Sequence, residues 1–431
     1  MKIDIKKTSE DDIMFDPNFT DLHFQSFYEL YPKFYEELKL YKGIPNVDTS
    51  LIANYNYDIP LFFYKLYSKG HLADSDIKEK IHHYGMDTSI FSGRKINDQA
   101  VVFTGFKNNK QIVILDSDND KNFGNDRVLS FEKDFRLDSD KNIKALNKLP
   151  RVKYNYEILH KDGVTNYNRD IILYPSSNSQ YASLFQGSLN KKLHITGRIK
   201  DYWKGNFTLE NYKYEIAFQG LSKEYLQILI RPDSIEFSSN DFFYNKNFEY
   251  RVKDTISISN NLFTIDTINL GINEIALKKL KVKRFHGFRK GETLANYKLE
   301  NLDGTKFSVL SNKDDKYILL NFWGTWCPPC VKNTPKIKGI ANKHKEKLSV
   351  IGIAYDDSTE LIKKYIDENK LNWRQAFIKR EFNPNSILNS LRIEVFPTYI
   401  LLANDAKILY RGTGSEALNE IEKIIKNNDN E

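Results

Sequence analysis

The chain of 431 residues holds two cysteines, and they stand three apart, at Cys327 and Cys330. That pairing constrains the fold more than any other feature. Two cysteines exclude a framework of structural disulfides. A structural zinc commonly takes four ligands from paired Cys/His spacings. No second Cys pair exists, His344 stands alone downstream, and His82 and His83 are adjacent and far upstream. The pair therefore reads as a redox-active C-x-x-C rather than a metal site.

The surrounding residues supply a chemical reason. Asn321–Cys330 reads NFWGTWCPPC. Tyr317–Trp323 is a continuous apolar run, as expected of a strand buried on both faces. A helix is predicted from about Pro328 to His344, with Pro335 kinking it. Cys327 then falls at a helix N-terminus, where free N–H groups and the helix dipole stabilise a thiolate. Pro328 and Pro329 are tolerated there because first-turn N–H groups have no helical partner. Cys327 is placed to attack a disulfide and Cys330 to resolve the mixed disulfide.

Beyond Phe285 the pattern alternates between strand and helix. A hairpin is expected over Tyr297–Leu310, turning at Asp303–Gly304, and a buried strand over Leu348–Tyr355. Leu361, Ile362, Tyr365 and Ile366 form one helical face. A second hairpin joins Thr398–Ala403 to Lys407–Tyr410, and Ala417, Leu418, Ile421, Ile424 and Ile425 mark an amphipathic helix. This is the pattern of an α/β domain with a central sheet.

WGTWCPPC after an apolar strand, the hairpin NLDGTKFSVL, Pro335 and Phe396–Pro397–Thr398 together resemble the thioredoxin superfamily. Within it they look like the TlpA/ResA-like thiol-disulfide oxidoreductases, over about His286–Glu431. The resemblance implies a thioredoxin-like fold and a catalytic pair, Cys327 and Cys330, that reduces protein disulfides through a mixed-disulfide intermediate. It implies an upstream thiol electron donor, no cofactor and no metal. Trp326, Phe396, Pro397 and Thr398 would form the substrate groove, with Pro397 cis and the Phe396 backbone pairing with an extended segment. Family members serve cell redox homeostasis, usually in the cell envelope or periplasm. Two positions depart from the pattern. Asn321 stands where thioredoxins carry a buried Asp, and Asn333 where ResA-like proteins carry a Glu, so the proton acceptor is unassigned.

The preceding 285 residues carry no catalytic cluster. Met1–Asp21 is polar and lacks the apolar segment of a signal peptide, which taken alone places the chain in the cytoplasm or its export signal outside this sequence. No run approaches the ~18 apolar residues of a membrane span. Phe24, Phe27, Tyr28, Tyr31, Phe34, Tyr35 and Leu38 recur at helical spacing within Leu22–Tyr41, and Ile59–Tyr67 and Ile77–Tyr84 follow suit. Residues 1–96 therefore read as mainly helical. Residues 97–150 form a hairpin region, with Ala100–Phe106 and Gln111–Leu115 flanking Asn108–Asn109. Residues 151–285 read as a β-rich domain, a sandwich or barrel, ahead of the redox domain at 286–431. This order is similar to that of multi-domain redoxins of the Bacteroidetes. Within the hairpin region, Asp116–Arg127 reads DSDNDKNFGNDR. Asp116, Asp118, Asp120, Asn122 and Asp126 offer oxygens at alternating positions, yet Lys121 and Arg127 occupy places where an EF-hand loop wants Gly and Glu. A solvated hairpin tip is the expectation.

Charge excludes little else. Lys and Arg number 64 against 57 Asp and Glu, net +7. Both signs are spread along the chain, which argues against a nucleic-acid surface. The cluster Lys332, Lys336, Lys338, Lys343, Lys345 and Lys347 reads as a solvated helix face. Two other functions remain open. A thiol peroxidase related to peroxiredoxins would place Thr three residues before the cysteine, where Gly324 stands. A binding or assembly module of the envelope with incidental redox activity would explain the large motif-free region.

Overall fold

The computed structural model describes residues 1–9, 21–24, 26, 31–32, 35–84, 88–91, 95–137, 142–160, 163–177, 191–219, 226–235, 247–252, 254–259, 261–269, 273–282, 285–311, 316–381, 383 and 385–427. Among these, no helix is long and apolar enough to cross a membrane.

Alternating apolar residues build the framework of the first 285 residues from antiparallel sheets. In the largest sheet the order is Glu249–Tyr250, Gln227–Pro232, Tyr212–Gln219, Tyr202–Leu209, Lys2–Thr8, Glu274–Lys279, Asn261–Asn269 and Ile256–Ile258. Residues of both outermost strands, Tyr250 and Ile256, share one core with Ile3, Ile5, Trp203, Phe218 and Leu277. The sheet thus curls around its own interior in a barrel-like manner. Two four-stranded sheets pack face to face over a second core. One comprises Asp21–Phe24, Ile195–Ile199, Gly163–Pro175 and Arg151–His160; the other comprises Thr49–Asn56, Gln99–Lys107, Lys110–Leu115 and Val128–Glu132. Phe24, Tyr154, Tyr156 and Leu173 of the first meet Ala53, Val102, Val113 and Leu129 of the second. The expected turn at Asn108–Asn109 is present, with φ of 48° and 60° at the two residues, as a tight hairpin turn requires.

The expectation of a mainly helical 1–96 is corrected. Lys2–Thr8, Asp21–Phe24 and Thr49–Asn56 are strands, and Glu36–Leu40 is one short 3-10 turn. Residues 25, 27–30, 33 and 34 of the expected first helix lie outside the described residues. Among those described, Ile59–Ser68 and Asp74–Tyr84 are the α-helices of this region, and Thr88–Ile90 is a second 3-10 turn. Pro32 interrupts the aromatic run, and Phe and Tyr are strand formers whose partners decide their conformation. Asp21–Phe24 pairs with Ile195–Ile199, burying Leu22 and Phe24. Pairing also crosses the expected boundary at residue 96, since Thr49–Asn56 runs antiparallel to Gln99–Lys107.

The C-terminal part is a five-stranded mixed sheet. Its strands are β1 (Tyr317–Trp323), β2 (Leu348–Asp356), β3 (Arg374–Lys379), β4 (Thr398–Ala403) and β5 (Ile408–Thr413), in the order β3-β2-β1-β4-β5. β1, β2 and β3 are parallel; β4 runs antiparallel to β1, and β5 antiparallel to β4. The apolar run of β1 serves both faces. Tyr317 and Leu319 pack with Ile337 and Ile340 of α1 (Pro328–Lys343) and with Leu418 and Ile421 of α3 (Gly414–Asn427). Ile318, Leu320 and Phe322 pack on the opposite face against Leu299, Val309, Leu388 and Leu391. The crossover from β2 to β3 carries α2 (Thr359–Asn369). Polar contacts tie this unit to the preceding barrel-like sheet. Asp254 binds both Arg289 and Arg392, and Arg251 reaches Glu394 at 3.1 Å.

Candidate active site

β1 delivers the chain to the carboxyl edge of the sheet, where Gly324–Trp326 turns it into α1. Cys327 is the N-cap of that helix, and Pro328 and Pro329 fill its first turn. Cys327 and Cys330 are joined by a disulfide with their Cα atoms 5.3 Å apart. The backbone N–H of Cys330 donates to Cys327 Sγ at 3.2 Å. The same N–H also donates to the Cys327 carbonyl at 3.0 Å, so the helix terminus shares one donor between that carbonyl and the sulfur that must carry charge after reduction. Each cysteine is 3% exposed, whereas Trp326 beside them is 39% exposed.

Gly324 makes the turn possible. A Cβ there would lie 2.4 Å from Trp326 Nε1 and 2.7 Å from the Tyr355 carbonyl oxygen. The indole N–H donates to that carbonyl at 2.7 Å, so the glycine lets Trp326 fold back onto β2. Gly324→Ala should break this bond and cost about 1–3 kcal/mol through overpacking. Unchanged tryptophan fluorescence and an unchanged urea midpoint would contradict that.

Phe396 and Pro397 approach from the other side, joined by a cis peptide bond. Phe396 stacks on Tyr355 with centroids 5.7 Å apart and meets Trp326 edge-on at 5.4 Å. It also packs against the cluster that holds both cysteines, Trp323 and Ile362. Thr398 turns its hydroxyl to the Val395 carbonyl at 2.6 Å, bracing the bend. The structure thus brings Cys327, Cys330, Trp326 and Phe396 into one neighbourhood, with Pro397 and Thr398 forming the bend that presents Phe396.

Asn321 and Asn333 are both buried. Asn333 Nδ2 donates to the Tyr399 hydroxyl at 3.2 Å. Burial pushes that phenol up to about 12, partly offset by the bond from Asn333, so it stays protonated at neutral pH. Asn333 thus forms a neutral amide–phenol pair with Tyr399, and Asn321 likewise brings no charge to the sheet beneath the cysteines.

Three contributors escaped the sequence reading. Asp356 is buried and accepts from the Thr325 N–H at 2.6 Å and from the Asp357 N–H at 3.0 Å, clamping the turn before Cys327. Its signal was its place at the carboxyl end of a parallel strand, where sites in open α/β sheets gather. Tyr355 supplies the carbonyl and the stacking ring. Arg380 lays its guanidinium 4.3 Å over the Trp326 ring. The lysines of α1 are less free than expected. Lys336 bonds the Ser415 carbonyl, Lys338 the Asn369 carbonyl and Lys343 the Glu422 carboxylate.

A family model described as thioredoxin-like matches residues 314–408. The C-terminal part of the chain is a redoxin domain of the thioredoxin superfamily. Thiol-disulfide oxidoreductase ResA of Bacillus thuringiensis (strain Al Hakam) is 28% identical over 137 residues, covering 32% of this chain and 76% of the relative. Thioredoxin-like protein YneN of Bacillus subtilis (strain 168) is 26% identical over 146 residues, covering 33% of this chain and 82% of the relative. Among solved structures, the thioredoxin domain of a thiol-disulfide oxidoreductase from Bacteroides vulgatus covers 31% of this chain and 96% of its own, at 29% identity and a TM-score of 0.29. All the site residues described above belong to the redoxin domain.

Proposed function

We propose that the chain is a thiol-disulfide oxidoreductase that reduces protein disulfides. The observation that carries this reading is the Cys327–Cys330 disulfide capping α1, with the Cys330 N–H aimed at Cys327 Sγ. In the reduced enzyme the Cys327 thiolate attacks one sulfur of a substrate disulfide and the other substrate sulfur leaves as a thiolate. Cys330, once deprotonated, attacks Cys327 Sγ, which releases the second substrate thiol and closes the enzyme disulfide. An upstream thiol donor then supplies two electrons to restart the cycle. The bend Phe396–Pro397–Thr398, together with exposed Trp326, forms the groove on which an extended substrate segment docks. By analogy with the ResA-like relatives we assign the cell envelope as the compartment, and residues 286–431 as the redox unit.

The reduction potential tests this directly, by equilibration against dithiothreitol or glutathione with the disulfide fraction read by mass. A value at or below roughly −270 mV, that of thioredoxin, agrees with a reductase; one near roughly −120 mV, that of DsbA, reverses the direction. Failure to re-form an intramolecular disulfide after reduction sinks the redox reading. Alkylation across pH checks the roles: Cys327 should react at lower pH than Cys330, because the helix terminus favours its thiolate. Mass-resolved labelling with Cys330 reacting first would exchange the two assignments.

A further inference from the structure

The loop 116–127, between strands Lys110–Leu115 and Val128–Glu132, arranges its acids differently from a solvated tip. One carboxylate oxygen from each of Asp116, Asp118 and Asp126 lies within 4.8 Å of the others. Each carboxylate is held from one side by the loop itself. The Lys121 N–H donates to Asp116 Oδ2, the Ser117 N–H and hydroxyl donate to Asp126 Oδ1, and the Asp120 N–H donates to Asp118 Oδ1. The opposite oxygens of two of them, Asp116 Oδ1 and Asp126 Oδ2, are shut off from solvent and accept no hydrogen bond of ordinary geometry among the described residues, with the Tyr41 hydroxyl facing the Asp116 carboxylate. Asp116 as a whole is only 2% exposed. Buried acceptors without donors are costly and point to an ion or a water at the site. A cation is favoured here, because the three carboxylates converge with no lysine or arginine in ion-pair contact with them among the described residues. Lys121, on the same loop, is turned instead to Glu37 at 2.9 Å.

The loop is also held firmly. Its backbone pairs with Lys42 through Lys42 N–H to the Lys121 carbonyl at 2.9 Å and Phe123 N–H to the Lys42 carbonyl at 3.0 Å. Gly43, at φ +64°, lets that segment approach Gly124 so closely that a Cβ would lie 2.2 Å from the Gly124 nitrogen. From the other side, Asn119 Nδ2 donates to the Asn155 carbonyl at 2.8 Å, and the Asn155 N–H donates to the Ser117 carbonyl at 3.2 Å. The oxygens are therefore preorganised at the seam between the two facing four-stranded sheets. Asp120, by contrast, spends both oxygens inside the loop, on Asn122 and Asn125.

We propose that Asp116, Asp118 and Asp126 bind one Ca²⁺ ion, which fastens loop 116–127 between the two sheets. Ca²⁺ takes only oxygen ligands, at ~2.3–2.6 Å, so ligands of one ion lie within about 5 Å of each other, as these do. Mg²⁺ demands a tighter octahedron and keeps its waters, and a site of three carboxylates on a loop suits it less. The test is calorimetric titration of the EDTA-treated full chain with CaCl₂, with MgCl₂ as comparison. One saturable Ca²⁺ site is expected, with a Kd between about 0.1 μM and 1 mM, weaker for Mg²⁺, and with a rise in the thermal midpoint. Asp118→Asn, at the exposed ligand, should fold normally by circular dichroism and weaken Ca²⁺ binding at least about tenfold. Asp126→Asn should do the same. Absence of saturable binding at roughly 10 mM Ca²⁺, an order of magnitude above the weakest known sites, overturns the proposal, as does unchanged affinity in a folded Asp118→Asn.

Discussion

Cys327→Ser should abolish disulfide reduction, a loss of at least about 10³-fold, as removal of a catalytic nucleophile does elsewhere. Serine keeps the N-cap geometry, since its oxygen also accepts from the Cys330 N–H, so the fold should survive and the loss should be chemical. Cys330→Ser should behave differently. It leaves Cys327 able to attack but removes the sulfur that resolves the mixed disulfide, so a covalent enzyme–substrate adduct should accumulate. Intact-mass analysis after mixing with a disulfide-containing peptide reads both outcomes. An adduct on the Cys327→Ser variant, or more than about a tenth of the wild-type rate, would sink the assignment of Cys327 as the attacking residue. Peroxide consumption by wild type, lost in Cys327→Ser, would instead favour the peroxidase reading.

Asp201→Asn should cost about 3–5 kcal/mol, because it strips a buried cation of its partner. Arg169 is fully buried, and Asp201 nearly so. The guanidinium Nε lies 2.9 Å from Asp201 Oδ2, and Lys7 reaches the same carboxylate at 3.0 Å. Burial alone would disfavour the charged guanidinium; the Asp201 carboxylate and the neighbouring tyrosines outweigh it and hold the proton on. Trp203, 5.3 Å from that guanidinium, reports on the region. The measurement is urea unfolding followed by fluorescence in a variant that retains Trp203 as its reporter. A loss below about 1 kcal/mol would mean that water or a relaxed side chain compensates the charge. Replacing both partners with apolar residues of similar volume should recover part of the loss, since a buried pair is weakly stabilising as a pair.

The redoxin domain was legible because its signals are local. The apolar run of β1, the C-x-x-C and the proline bend each lie within a few residues. The continuous apolar strand betrays a sheet covered on both sides. Asp356 was missed because Asp356 and Asp357 look alike in sequence, and only their strand position separates the buried clamp from its exposed neighbour. The first 285 residues were harder for a different reason. Asp21–Phe24 and Lys2–Thr8 have partners far along the chain, and periodicity carries no information about a distant partner. The aromatic spacing of Leu22–Tyr41 therefore read as a helix face, whereas Asp21–Phe24 is a strand paired with Ile195–Ile199 and Glu36–Leu40 is a 3-10 turn. At Asp116–Arg127 the residue types were visible, whereas the burial that leaves two oxygens without donors was not.

The placement of Lys2–Thr8 inside the barrel-like sheet has a consequence for biosynthesis. Ile5 pairs with Gly205 and Ile3 with Ile275, so the strand waits for both neighbours to leave the ribosome. At about 5–20 residues per second, that wait lasts on the order of ten to fifty seconds. Meanwhile it presents two open edges, and its Lys2, Asp4, Lys6 and Lys7 charges discourage pairing with other nascent chains. The redoxin domain, whose strands neighbour their partners closely, closes soon after its own synthesis. Deleting the first ten residues would therefore take out the middle of the sheet rather than trim a tail.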